Sequence, residues 1–168
     1  MNKYPVLLLL MVVGSCSGDG SEGGAGWTRG VQEVRRTSGI ATLRSIRAAS
    51  HDGFDRIVLD FGADPIPGYH ISYIDRPVRT CARGDTVLMP GDGWLEIRLE
   101  PAAAHTEVGQ PTIAGRTLPL DLPNLRRLNL TCDFEAQVTW VAGVLSPNDF
   151  RVSELGSPAR LVVDILQH

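Results

Sequence analysis

Asp55-Arg56-Ile57-Val58-Leu59-Asp60-Phe61 reads as a β-strand, with Ile57, Leu59 and Phe61 on one side and Arg56 and Asp60 on the other. Successive side chains of an extended chain point to opposite faces, so this alternation gives one face to a core and leaves the other in water. The same period recurs on the C-terminal side. Tyr69 to Ile74 follows the turn Ile66-Pro67-Gly68 with Tyr69, Ile71 and Tyr73 on one face. Trp94 to Leu99 follows Pro90-Gly91-Asp92-Gly93 with Leu95, Ile97 and Leu99 inward. Leu128, Leu130, Cys132 and Phe134 alternate with polar residues, and Val138, Trp140, Ala142 and Val144 do so after a break near Glu135. Arg160 to Ile165 reads as the terminal strand.

Short alternating segments punctuated by Gly and Pro predict an all-β, mostly antiparallel sandwich or barrel. Between Pro101 and Pro123 the period fails. A short helix or 3₁₀ turn at Pro101-Ala102-Ala103-Ala104 and a plain loop both remain open there, while Pro111, Pro119 and Pro123 exclude a long helix.

At 168 residues, 43% hydrophobic and 21% charged, the chain has the balance of one folded domain. Its net charge of −3 comes without a basic run, which argues against nucleic acid as a partner.

The N-terminus has the order of an export signal: Met1-Asn2-Lys3, an apolar run from Tyr4 to Val13, then Gly14-Ser15-Cys16. That run is about half of the roughly 20 residues a membrane-spanning helix needs, so residues 1–15 are expected to be a cleaved signal peptide. Val13-Gly14-Ser15-Cys16 resembles the bacterial lipobox, whose cysteine is acylated on sulfur and becomes the new N-terminus. An incidental cysteine beside an ordinary cleavage site is the alternative. The resemblance implies a membrane partner reached through acyl chains on Cys16, more than one of which stable anchoring needs. It also implies export to the outer side of a bacterial membrane, periplasmic or outer-membrane in a Gram-negative source. Ser17 to Gly26 is Gly/Ser-rich and has the composition of a flexible tether, reaching roughly 17 Å on average. Residues 16–38 are therefore read as lipidated cysteine and linker, and 39–168 as the domain.

With Cys16 assigned to lipid, Cys81 and Cys132 remain as a pair, and a disulfide is expected in an oxidising compartment. Two buried free thiols are the alternative. Neither cysteine has a Cys or His neighbour at ligand spacing, so no metal is expected.

Taken together, the run from His51 to Phe61, Pro67-Gly68-Tyr69-His70-Ile71-Ser72-Tyr73, and the segments Phe150-Arg151-Val152 and Arg160 to Asp164 resemble the AMIN-like domain of bacterial envelope proteins. The likeness covers roughly residues 39–167. It implies a β-sandwich and envelope association without defining a ligand; together with the lipobox-like segment, the expectation is a non-catalytic binding module that recognises peptidoglycan or another wall polymer. A protein-interaction or assembly factor for envelope proteins is the alternative.

No cofactor motif and no catalytic constellation stands out: His51, His70, His105 and His168 are scattered, and no Gly-x-Ser-x-Gly occurs. The candidate ligand contacts are Asp55 and Arg56, the latter through its guanidinium fork, with Tyr69, Tyr73 and Trp94 as stacking surfaces for sugar. Competing readings are an ion pair of Arg56 with Asp164 or Glu96, and core positions for the aromatics. His51-Asp52 is read as an exposed turn.

Overall fold

The computed structural model describes residues 26–168, so the expectations for residues 1–15 and for Cys16 lie outside the described residues. Within them the chain forms strands β1 (Gln32–Val34), β2 (Ala41–Thr42), β3 (Ser45–His51), β4 (Phe54–Gly62), β5 (Gly68–Tyr73) and β6 (Gly93–Glu100). After these come β7 (Ala102–Ala103), β8 (Thr117–Pro119), β9 (Leu125–Phe134), β10 (Gln137–Val144), β11 (Phe150–Leu155) and β12 (Ala159–Leu166). A six-stranded sheet in the order β1-β5-β6-β10-β9-β8 packs against a four-stranded sheet in the order β11-β12-β4-β3. Both are antiparallel; the two-residue pairing of β2 with β7 is parallel.

The core is the set of inward positions of both sheets. Ile57, Leu59 and Phe61 of β4 meet Ile71 of β5, Leu95, Ile97 and Leu99 of β6, and Trp140 of β10, all with no solvent exposure. The period-two reading thus places these residues correctly, because each strand has one buried face.

Three expectations need correction. Trp27 to Ser38 is not plain linker: Gln32, Glu33 and Val34 pair with Ile71, His70 and Tyr69, adding an edge strand to the larger sheet. Nearer the terminus, Thr28 exchanges both backbone hydrogen bonds with Phe150, at 2.9 and 2.8 Å. Next, the alanine-rich segment after Pro101 is extended rather than helical, since Ala102 and Ala103 lie beside Ala41 and Thr42. No helix occurs among the described residues.

The third correction concerns Cys132. Trp140 lies opposite Leu130 while Thr139 lies opposite Cys132, so β9 carries one extra residue, Thr131. Such a bulge reverses the alternation beyond it. Leu128 and Leu130 stay in the core, whereas Cys132 turns to the outer face, and Phe134 is 56% exposed.

The outward turn of Cys132 meets the long connection 74–92 between β5 and β6, which lies as a strap across the outside of the larger sheet. Cys81 is disulfide-bonded to Cys132, with Cα atoms 5.2 Å apart. The Cys81 amide donates to the Thr131 carbonyl, and the Arg127 guanidinium to that of Leu88. Beneath the strap Val141, Thr139 and Thr131 are buried although they face away from the core. Gly91 ends the strap at φ +84°, where a Cβ would run into the Val144 carbonyl, so only glycine fits.

Candidate functional site

Among the described residues, no strap covers the smaller sheet. Its outer face carries Phe54, Arg56, Val58 and Asp60 from β4, and across the ladder Asp164 pairs with Arg56 and with Arg151, Val162 with Val58, and Arg160 with Asp60. On the other side of β4, Arg47 pairs with Val58 and His51 with Phe54. A face that would be plain solvated surface in many sandwiches is here dense with arginine and aromatic groups.

Asp164 organises it. The Arg56 fork donates Nε to Oδ1 at 2.6 Å and Nη2 to Oδ2 at 2.9 Å, and Arg151 Nε donates to Oδ2 at 2.9 Å. The Asp164 side chain is 2% exposed, while those of Arg56 and Arg151 are 33% and 37% exposed. Burial pushes the Asp164 carboxyl up, but hydrogen bonds and charge from both guanidinium groups outweigh it and hold it below the ordinary aspartate value. The same contact raises Arg56.

The two guanidinium groups are in turn covered by rings. Arg151 lies 4.5 Å from the centroid of Trp27 and 5.2 Å from that of Phe54, and Arg56 lies 5.1 Å from Phe54. His51 stacks on Phe54 at 5.1 Å and 10°. Cation–π contact and the shared carboxylate therefore hold both arginines in fixed orientation. Beside them is a hollow of about 240 Å³ whose lining includes Val58, Val162, Ala49, Arg47, Arg160 and Leu155. Among the described residues, Arg160 has no carboxylate within ion-pair distance, and Arg47 only Asp60 at 4.0 Å.

A pH prediction follows from Asp164. Its folded pKa is depressed, so its stabilising contribution is present above the unfolded value and is lost as pH falls through the folded one. In urea unfolding, the stability gap between wild type and Asp164→Asn should be constant above about pH 5 and shrink steadily below it. A gap that stayed level into strong acid would contradict this assignment.

The residues predicted as ligand contacts do not come together. Asp55 is fully buried: its Oδ2 accepts from the backbone amides of Asn124 at 2.8 Å and Leu125 at 2.7 Å, and its Oδ1 from Gln167 Nε2 at 3.1 Å. It is a structural acceptor pointing away from Arg56. Tyr69 and Tyr73 are partly buried against the core from β5. Burial, with the nearby Glu154 carboxylate, pushes the Tyr69 phenol up to about 12. The Tyr73 hydroxyl donates to the Asn148 carbonyl at 2.7 Å, and burial raises it too. Trp94 sits under the strap on the opposite sheet, with Arg76 4.2 Å above its ring. Only Arg56 belongs to the outer face of the small sheet, and its partner is Asp164 rather than Glu96.

Reasoning from sequence missed Trp27, Arg47, Phe54, Arg151 and Arg160 as neighbours. Alternation from Ile57 would have found Phe54 and Arg56 on one face; Arg151 and Trp27 depend on strand order, which no local pattern encodes.

One arrangement has the outline of a nucleophile and base. His70 Nε2 is 3.3 Å from Ser72 Oγ, and its Nδ1 is 3.8 Å from Glu33 Oε2. The second distance exceeds hydrogen-bond reach, and Glu33 is bonded to Arg35 Nε at 2.6 Å, which lowers its pKa. These are the contacts of a sheet-edge ion pair. Among the described residues, no group of three metal-ligating side chains converges.

The described residues form an all-strand, mostly antiparallel fold whose smaller sheet presents an arginine-rich outer face. The family model for the AMIN-like domain matches residues 41–167, and the chain belongs to that family. No curated protein and no solved structure matches it. AMIN-like domains are in general non-catalytic modules.

Proposed function

We propose that this chain is an envelope-binding module whose ligand is peptidoglycan or a similar carboxylate-bearing wall polymer, gripped by the outer face of the β11-β12-β4-β3 sheet. The observation that carries the reading is the convergence of Arg47, Arg56, Arg151 and Arg160 with Trp27, Phe54 and His51 on one open sheet face of a net-acidic protein. Guanidinium forks pair with carboxylates, and aromatic rings stack on the apolar faces of sugars; a glycan cross-linked by acidic peptides offers both. The lipobox-like Val13 to Cys16 and the Gly-rich stretch after it support a module tethered by acyl chains at Cys16 on the outer side of a membrane.

Co-sedimentation with insoluble peptidoglycan tests the reading. The purified chain should pellet, and Arg47→Ala/Arg160→Ala, which leaves the Asp164 cluster intact, should weaken binding about tenfold by removing two exposed charged contacts. Full recovery of wild type in the supernatant at modest salt would count against a wall ligand. Capture of one stoichiometric protein partner instead would favour an assembly factor.

A further inference from the structure

The hollow beside the arginine cluster, about 240 Å³, is smaller than the roughly 300–1,000 Å³ of sites that enclose a whole ligand, so it takes a small part of one. Its lining includes no Trp, Tyr or Phe. The rings nearby are occupied: His51 stacks on Phe54, whose centroid also lies 5.1 Å from Arg56, and Arg151 covers Trp27. What the hollow offers is aliphatic surface and guanidinium N–H groups. Leu155 of β11 and Ala49 of β3 are exposed on its two sides, and Val58 and Val162, largely buried, close the floor between them.

The charges around it fall into two groups. At the outward positions of the four strands, Arg47, Arg56, Arg151 and Arg160 stand against Asp60 and Asp164, an excess of two positive charges on a chain whose net charge is −3. On one side of Val58, Arg56 and Arg151 share the single carboxylate of Asp164. On the other, Arg47 and Arg160 flank Asp60, whose Oδ1 already accepts from the Gly62 amide at 2.8 Å. Arg160 Nε donates to the Pro158 carbonyl at 3.3 Å, and among the described residues its terminal nitrogens have no acceptor. Each group keeps one positive charge unbalanced. Arg56 and Asp60 mark their places on β4, about 13 Å apart at roughly 3.3 Å per residue.

We propose that the hollow binds a short acidic peptide in extended form, two of whose carboxylates meet the two arginine groups while small alkyl side chains between them lie on Ala49, Val58 and Leu155. This rests on the wall-binding reading, in which the peptide part of the polymer rather than its sugars then fills the hollow.

Three probes titrated into the ¹⁵N-labelled, disulfide-bonded chain test this by nuclear magnetic resonance: the wall stem peptide freed from its glycan, the same peptide with its carboxylates amidated, and peptide-free glycan chains. The stem peptide should shift the Ala49 and Val58 amide signals saturably, the amidated form should bind at least about tenfold more weakly, and the glycan should leave both signals unmoved. Ala49→Glu sets a carboxylate opposite Arg56 in the hollow and should weaken peptide binding at least about tenfold, whereas the equally large, uncharged Ala49→Gln should weaken it less. Equal loss in the two folded variants, equal affinity of the amidated peptide, or a response to glycan alone would overturn the proposal. A chain that pellets with intact peptidoglycan but ignores the stem peptide refutes the peptide contact alone. One that binds the peptide but not the intact wall refutes the wall reading alone.

Discussion

The double variant Cys81→Ala/Cys132→Ala is expected to lose about 4 kcal/mol of unfolding free energy, the chain-entropy value for a loop of this length. The two cysteines are separated by 51 residues, and the disulfide joins the strap to β9 of the larger sheet. Alanine rather than serine is the right replacement, because Cys132 is 4% exposed and a hydroxyl there would need a partner. Urea unfolding of oxidised wild type, reduced wild type and the variant would measure it. Reduced wild type should match the variant, and both should keep the antiparallel sheets while the strap opens first. Equal midpoints for all three would mean that the cross-link constrains nothing the fold does not already constrain. Local opening should appear as faster amide exchange at Cys81, whose N–H donates to Thr131.

Asp55→Ala should be nearly as costly, about 3 kcal/mol, because it strands buried donors whose desolvation is no longer compensated. The Asn124 and Leu125 amides both end on Asp55 Oδ2. Asn124 is itself a hub, its side chain donating to the Ser146 and Leu166 carbonyls and accepting from the Ser146 amide. Loss of one carboxylate therefore loosens the connection 122–125, the connection 145–149 and the end of β12 together. Asp55→Asn keeps one acceptor oxygen and should cost less than alanine. Comparison of the unfolding midpoints, with amide exchange at Asn124 and Leu125, checks both points; an alanine variant as stable as asparagine would refute the account.

Asp55 also shows why the fold was more legible than the site. Strand β4 is evident from Ile57, Leu59 and Phe61, since one buried face writes its period into the sequence. Yet the same period sends Asp55 and Arg56 to opposite faces, so the two cannot contact one ligand on the outer surface. Strand β3 carries a weak period, because only Ile46 and Ala48 of it pack inward. Its signal was Asp52-Gly53, a two-residue turn with Gly53 at φ +82° that joins β3 to β4. The connection from Pro101 to Pro123 is held by distant partners: Ala104 N–H donates to Asp133 and Thr112 Oγ1 to Leu43. No local pattern could announce those contacts. The Thr131 bulge was invisible for a related reason: an inserted residue shows only against the strand it faces.

The arm ahead of β1 has a mechanical meaning. Thr28 is paired with Phe150 of the small sheet, Arg29 is bonded to Asp149 at 3.0 Å, and Val34 is paired with Tyr69 of the large sheet. Tension applied to the N-terminus would accordingly load both layers in sequence, breaking the Thr28 bridge before β1 could peel. Trp27, against Arg151, marks where that force enters, so stretching would disturb the arginine face before the rest of the domain.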